Sequence, residues 1–247
     1  MTNFRNRNFL KVLITSLLFS SGFSSAKAQG LEWVAPFQGE SEEIPYDIAV
    51  DLSGNVLTTG YIEGGTDFDP SEGELNLTAV DEEDIFISKL DGEGNLVWAR
   101  RIGGENSELG YGIDTDGEGN VIVTGFFQGS VDFDPGEDEF ILTTPPSSDV
   151  FVLKLSPDGN FLWAKSFSGV LDEIGFDITV DESGNLYITG EFGGTVDFDP
   201  GPGVFEIASV DARDVFVVKL DQDGDLDWAR SFGGDSQDVG LSIALEE

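Results

Sequence analysis

Paired aspartates in a repeated Asp-Phe-Asp-Pro motif are the residues of this chain whose type and spacing could do chemistry. The pairs are Asp67 with Asp69, Asp132 with Asp134, and Asp197 with Asp199. In an extended segment, both acids of a pair point to one side and the phenylalanine points to the other. Such carboxylates repel each other unless a cation or a hydrogen-bond donor lies between them. Because Ca²⁺ prefers carboxylate and carbonyl oxygens, each loop is a candidate calcium site.

A second interpretation of the motif needs no metal. The first aspartate can cap a turn, and the second is held extended because it precedes a proline. The phenylalanine can then pack between structural units. The sequence leaves both interpretations open, and they differ in whether removal of calcium changes the stability of the protein.

Few other residues suggest chemistry, and histidine and cysteine are both absent. Their absence excludes Ser-His-Asp and Cys-His catalysis, histidine-ligated zinc and disulfide bonds. Carboxylate chemistry, such as glycoside hydrolysis or a metal-assisted lyase reaction, stays open. Its candidates, Glu43, Glu173 and Glu191, lie in no recognisable motif. The acidic segment 221–227 lacks the spacing of an EF-hand loop and is typical of a hairpin turn.

These candidates lie in a sequence that repeats every 65 residues without a gap. The spacing is kept by four tryptophans, Trp33, Trp98, Trp163 and Trp228, and by the lysines Lys89, Lys154 and Lys219. An exact period of this length indicates an array of one supersecondary unit, in which neighbouring copies bury each other's apolar faces. Tryptophans that recur in every copy are therefore expected in the core or between units, rather than on a sugar-binding surface.

The second copy predicts four strands and two tight hairpins. The predicted strands are 111–116, 121–127, 149–155 and 161–167, with a loop of roughly twenty residues between the second and the third. The third strand is apolar on both faces, which indicates a sheet covered on both sides. A four-stranded sheet packed face to face with copies of itself is a propeller blade. The predicted fold class is all-β, a β-propeller-type array of four-stranded antiparallel blades, with about three blades present.

The phase of the repeat predicts that this array is incomplete. After the N-terminal segment, the chain opens on a lone fourth strand at 31–37 and ends on a lone first strand at 240–245. Three blades are fewer than the four to eight that usually close a ring. We therefore expect a piece of a longer array, or self-association or closure by further blades.

Residues 1–28 have the pattern of a secretory signal peptide. A basic segment at 5–11 precedes a short apolar core at 12–19, and Ala26-Lys27-Ala28 matches the cleavage pattern. We expect cleavage between Ala28 and Gln29, no membrane-spanning segment, and a secreted, cell-surface or periplasmic protein. The rest of the chain, 29–247, is the repeat region, with repeats at about 31–95, 96–160 and 161–225 and a partial repeat at 226–247.

The charge of the chain is strongly negative. It contains 12 basic and 48 acidic residues, and its formal net charge is −36. A field of this sign excludes nucleic acid and anionic membrane surfaces as direct partners and favours cations or basic partners. A solvated acidic surface that keeps an exported protein soluble accounts for the charge equally well.

Several segments resemble the bacterial seven-bladed propeller repeat called SBBP. The similar segments are Asp-Glu-Ser-Gly-Asn-Leu-Tyr-Ile-Thr-Gly at 181–190, Asp-Val-Phe-Val-Val-Lys-Leu-Asp at 214–221 and Trp-Ala-Arg-Ser-Phe-Gly-Gly at 228–234. The segment Thr-Val-Asp-Phe-Asp-Pro-Gly at 195–201 resembles a variant of that repeat. The resemblance covers nearly all of residues 31–247. It implies a propeller in a secreted or surface protein, without a common enzymatic activity or catalytic residues.

Taken together, these observations predict a secreted, non-enzymatic propeller that serves as a scaffold or binding module for a protein or glycan ligand. One alternative is a calcium-stabilised adhesin that uses the Asp-Phe-Asp-Pro loops. A carboxylate-based glycosidase or lyase is a further alternative. No cofactor other than calcium is suggested by the residue types present.

Overall fold

Three antiparallel sheets of four strands follow one another along the chain. The computed structural model describes residues 33–39 and 41–246. Its strands are β1 (Gln38–Gly39), β2 (Glu43–Val50), β3 (Val56–Ile62), β4 (Gly65–Asp67), β5 (Asn76–Thr78), β6 (Asp84–Leu90), β7 (Leu96–Ile102), β8 (Leu109–Thr115), β9 (Val121–Asp132), β10 (Ile141–Leu155), β11 (Phe161–Phe167), β12 (Ile174–Val180), β13 (Leu186–Asp197), β14 (Glu206–Leu220) and β15 (Leu226–Phe232). These described residues form no helix, and the all-β prediction is confirmed.

The four-stranded sheets are the predicted blades. Their strand orders are β2-β3-β6-β7 in blade 1, β8-β9-β10-β11 in blade 2 and β12-β13-β14-β15 in blade 3. Every neighbouring pair is antiparallel. A small sheet of order β1-β4-β5 combines β4 and β5, which lie between β3 and β6 in the chain, with β1, which precedes blade 1. The array of four-stranded antiparallel units predicted from the 65-residue period is thus present.

The first hairpin of each blade is closed by one aspartate. Asp51 accepts hydrogen bonds at Oδ1 from the backbone amides of Ser53 and Asn55, both at 2.9 Å. Gly54 lies between them with a φ of 83°, a left-handed conformation that glycine adopts without steric cost. The same amide-to-aspartate pattern recurs at Asp116 and Asp181. Local sequence therefore determines where each blade turns.

The long loop predicted between the second and third strands is mostly β-structure, so that prediction was wrong. In blade 2, β9 continues to Asp132 and β10 already begins at Ile141, and these two residues are paired. Only residues 133–140 are left as a loop. The extension pairs backbone groups that would otherwise need solvent. Gly129, with a φ of 71°, lies where the register of the two strands shifts.

The apolar cores lie between the blades. Ile85 and Ile87 of blade 1 share one cluster with Phe151 and Leu153 of blade 2. On the other face of β10, Val150 and Val152 belong to a cluster with residues of blade 3, among them Phe192, Phe216 and Val218. Burial on both faces is thereby confirmed for β6 and for the second half of β10. In β14 burial alternates instead, because one face has no described blade against it.

The two lone terminal strands are not formed in the described residues. The segments 33–37 and 240–245 carry no strand assignment, and Leu31 lies outside the described part of the chain. A strand exists only through hydrogen bonds to a neighbour, and neither segment has a complete strand ladder. Gly240 does contact blade 3, through a bond of 3.4 Å from its amide to the carbonyl oxygen of Gly190. The predicted signal peptide, 1–28, also lies outside the described residues.

Candidate functional site

The Asp-Phe-Asp-Pro loops are held together by their own backbone. Oδ1 of Asp67 accepts hydrogen bonds from the amides of Asp69 at 3.0 Å and Leu75 at 2.9 Å. Oδ1 of Asp69 accepts from the amide of Ser71 at 2.9 Å. The other two copies repeat this arrangement at Asp132 and Asp134 and at Asp197 and Asp199. The first aspartate of each loop thus caps the turn, as the metal-free interpretation requires.

The phenylalanine of each Asp-Phe-Asp-Pro motif packs between sheets. Phe68, Phe133 and Phe198 are fully buried or nearly so. Phe133 lies 5.2 Å from Phe151 between ring centroids, and Phe198 lies 5.3 Å from Phe216. Within the described residues, no group of three or more acidic side chains is arranged to hold a metal ion. The second oxygen of each aspartate accepts no bond from its loop, so calcium binding by these loops stays a prediction.

Two of the four recurring tryptophans donate a hydrogen bond to the next blade along the chain. Nε1 of Trp98 donates to the carbonyl oxygen of Pro157 at 3.0 Å, and Nε1 of Trp33 donates in the same way to Gly92 at 3.1 Å. The ring of Trp98 lies against Gly159, where an added Cβ would approach it to 2.9 Å. This inter-blade role is the one that the repetition predicted.

The recurring lysines also contribute to stacking. Nζ of Lys89 lies 3.0 Å from Oδ2 of Asp51 and donates to the carbonyl oxygen of Pro157 at 3.2 Å. Burial alone would raise the pKa of Asp51, but bonds from Asn55 and Lys89 outweigh it and lower that pKa. Lys154 repeats the arrangement with Asp116 and with Gln222 of blade 3. In blade 3 the lysine changes partner, and Lys219 pairs with Asp227 at 2.7 Å.

A row of aspartates connects the first strands of the blades, which sequence reasoning missed. Oδ2 of Asp47 accepts from the amide of Ile113 at 2.8 Å, across the boundary between blades 1 and 2. Asp114 accepts from Val180 at 2.9 Å across the next boundary. Burial, and to a lesser extent the charges of neighbouring aspartates, raises the pKa of Asp47 and of Asp114. The carboxylates act here as inter-blade acceptors.

The acids considered for catalysis are buried or hydrogen-bonded, and Oε1 of Glu43 accepts from the hydroxyl of Thr66 at 3.2 Å. Glu43 and Glu173 share one repeat position with Glu108, so they are not peculiar to one blade. Glu108 and Glu173 are fully buried, and burial raises their pKa values to about 8 and about 9. Glu191 is bound to Arg213 at 2.5 Å and to Gln237 at 2.8 Å.

One large open groove lies at the outer edge, between blades 1 and 2. Its volume is about 640 Å³. One wall carries Arg100 and Arg101 of β7, and the other is the loop of blade 2 around Asp134, Glu137 and Asp138. Its surface offers both signs of charge, and Glu137 and Asp138 are exposed. A groove of this kind suits a polar or charged ligand better than an apolar one.

No protein-family model matches the chain, so the resemblance to SBBP repeats stays a prediction. The chain is similar to an uncharacterized WD repeat-containing protein of Acanthamoeba polyphaga mimivirus, with 31% identity over 156 residues and 59% of this chain covered. The match spans only 11% of the length of that relative. A crystal structure of a protein of unknown function from Bacteroides caccae aligns with 81% of this chain and 85% of its own, at 12% identity and a TM-score of 0.30. At that score the alignment carries no argument about function.

Proposed function

We propose that the chain is a non-enzymatic, propeller-type scaffold or binding module, exported and active outside the cytoplasm. The observation that carries the proposal is the use of the repeated side chains. Trp98, Lys89 and Phe133 all take part in contacts within or between blades, and their counterparts recur in the other copies. Residues committed to stacking are not available for catalysis, which needs an asymmetric site.

The similarity to a WD repeat-containing protein supports the same proposal at a coarse level. Propellers of repeated four-stranded blades present a rigid surface on which loops differ from blade to blade. The groove between blades 1 and 2 is such a place. Its acidic loop and the net charge of the chain favour a basic polypeptide as ligand.

Two variants with equal changes in charge test this proposal. The first, Glu137→Lys with Asp138→Lys, reverses the charge of the groove loop. The second, Glu72→Lys with Glu74→Lys, changes exposed acids in the equivalent loop of blade 1, outside the groove. Binding of basic peptides and soluble polysaccharides to the immobilised chain is measured for both variants.

We expect a ligand of the module to lose affinity in the groove variant and to keep it in the control. Equal losses in both variants would mean that binding follows net charge alone, which contradicts a specific module at the groove. Turnover of any polysaccharide in the same panel by the unsubstituted chain would contradict the non-enzymatic proposal.

A further inference from the structure

The boundary between blades 2 and 3 buries two carboxylates that have no hydrogen-bond partner. Asp149 lies in β10, and Glu173 stands just before β12. Both side chains are fully buried, and none of their four carboxylate oxygens accepts a hydrogen bond of good geometry. Burial raises the pKa of Asp149, although the Gly169 amide and the Glu173 carboxyl lie close enough to lower it against that effect. The negative charge of Asp149 is one of the causes that act on Glu173, so the two groups are neighbours. An unpaired buried charge is strongly unfavourable, and two adjacent like charges are more so.

At the boundary between blades 1 and 2, one oxygen of each equivalent acid has a partner, whereas Oδ1 of Asp84 and Oε1 of Glu108 have none. Asp84 accepts from the amide of Val80 at 2.9 Å and forms an ion pair with Arg101. Oε2 of Glu108 accepts from the amide of Gly104 at 2.7 Å. This acid pair therefore has a guanidinium and two backbone amides as donors.

The equivalent acids after blade 3 keep the backbone donors. Asp214 accepts from the amide of Val210 at 3.0 Å, and Asp238 accepts from the amide of Gly234 at 3.0 Å. The bond from the amide four residues earlier is thus common to Asp84 of β6 and Asp214 of β14.

Blade 2 has lost two of these three donors through its own sequence, whereas the third, the amide of Gly169 at the position of Gly104, is kept beside Asp149. Pro145 stands where the other blades have Val80 and Val210, and proline has no backbone N–H. Ser166 stands where blade 1 has Arg101, so that guanidinium is missing. The charge of Arg213 acts on Glu173, but its guanidinium donates to Asp172 and Glu191 instead. Both changes remove nitrogen donors from the same pair of carboxylates.

The same blade gains oxygen atoms at this place. Ser168 replaces the glycine found at positions 103 and 233, and Thr144 replaces Ala79 of blade 1. The hydroxyls of Thr144 and Ser168 lie beside the Asp149 carboxylate and favour its charged form, although neither donates a hydrogen bond of good geometry. Two carboxylates and two hydroxyls supply oxygen ligands of the kind that hard divalent cations prefer.

We propose that Asp149 and Glu173, together with the hydroxyls of Thr144 and Ser168, form a calcium site between blades 2 and 3. The ion takes the electrostatic role that Arg101 has one boundary earlier. The two positive charges of Ca²⁺ neutralise both carboxylates, whereas one proton shared between the acids neutralises only one carboxylate. None of the Asp-Phe-Asp-Pro residues belongs to this site, so it is independent of the calcium prediction for those loops.

Isothermal titration calorimetry tests the proposal. The 247-residue chain is stripped with EDTA, transferred to chelator-free buffer at neutral pH and titrated with calcium chloride. We expect binding heat and a rise in melting temperature on calcium addition. The variant Asp149→Asn with Glu173→Gln should lose one site per chain. Its control, Asp84→Asn with Glu108→Gln at the preceding boundary, should keep that site.

A second variant tests the same site in case the double variant does not fold. Ser166→Arg places a guanidinium at the position of Arg101, next to the unpaired acids. We expect it to abolish calcium binding at this site while its melting temperature in EDTA equals or exceeds that of the unsubstituted chain. Absence of calcium binding by the unsubstituted chain, or unchanged stoichiometry in both variants, would overturn the proposal and leave a shared proton between the two acids.

Discussion

Nε1 of Trp98 in blade 1 donates a hydrogen bond of 3.0 Å to the carbonyl oxygen of Pro157 in blade 2. The two residues are separated by 59 positions, and Pro157 lies in the turn between β10 and β11 of the neighbouring blade. The side chain of Trp98 is almost fully buried, with 6% of its surface exposed. The packing of blade 1 on blade 2 therefore depends on the turn between β10 and β11, whose conformation is determined by its own residues.

Trp98→Ala is expected to destabilise the array strongly. Removal of a buried tryptophan costs about 3–5 kcal/mol of unfolding free energy through lost contacts and the cavity left behind. Trp228→Ala is the matched control, because Trp228 is only half-buried and no described blade follows it. Urea unfolding followed by tryptophan fluorescence and circular dichroism gives the comparison. Equal losses in the two variants would contradict an inter-blade role for the indole.

Gly159→Ala should be more harmful than Gly54→Ala. Both glycines have a positive φ, of 74° and 83°, so each substitution carries the same backbone strain. Only at Gly159 would the added Cβ also approach a neighbouring ring, that of Trp98, to 2.9 Å, whereas Gly54 has open space. Thermal melting of both variants measures the difference. Similar melting temperatures would show that the ring moves aside without cost.

Lys154→Ala should destabilise the protein more than Lys219→Ala. The side chains of Lys154 and Asp116 are 8% and 6% exposed, so the substitution leaves a buried carboxylate without its cation. Breaking such a pair costs about 3–5 kcal/mol. Asp227, the partner of Lys219, is 54% exposed, and an exposed pair contributes about 0–1 kcal/mol. Chemical unfolding of both variants at one pH provides the test; a larger effect of Lys219→Ala would contradict it.

Glu108 is expected to make the protein less stable as pH rises. Burial raises its pKa from 4.5 to about 8, although the Gly104 amide and Arg101 act against the shift and Asp84 adds to it. Below about pH 4.5 the group is protonated in both states; between there and about pH 8 only the unfolded chain loses the proton, which favours unfolding.

Glu108→Gln isolates this contribution. Relative to the variant, the unsubstituted chain should lose up to about 1.4 kcal/mol of unfolding free energy per pH unit in that window. The exposed neighbour Glu105 serves as control, since Glu105→Gln should leave the pH dependence unchanged. Urea unfolding from about pH 5 to about pH 8 is the measurement. Parallel curves for Glu108→Gln and the unsubstituted chain would show that Glu108 ionises freely when folded.

Asp132→Asn separates the two interpretations of the Asp-Phe-Asp-Pro loops. Asparagine keeps the Oδ1 acceptor for the amides of Asp134 and Phe140 but removes the charge. If the residue only caps the turn, melting in EDTA and any calcium-induced rise in melting temperature should both stay as they are. A smaller calcium-induced rise in this variant would instead support calcium binding by the loop, because the loss of a carboxylate weakens a calcium site.

Much of the fold could be predicted from the sequence, because the exact 65-residue period indicates one repeated unit of strands and turns. Strand β11 lies at 161–167, as predicted. Its start is marked in the sequence by the Pro, Asp, Gly and Asn residues of the turn at 156–160, which favour a tight hairpin. The extension of β9 to Asp132 was missed, because backbone pairing beyond Phe127 has no apolar alternation to mark it.

The sequence by itself determined the repeat, the number of strands in each unit and the turns, because these depend on local backbone preferences and on regular apolar spacing. Only the tertiary structure decided which side chains meet across blade boundaries. Asp149 and Glu173 lie 24 positions apart, and Lys89 reaches Pro157 over 68. Such contacts follow from the way sheets stack face to face, which sequence spacing along one strand does not encode.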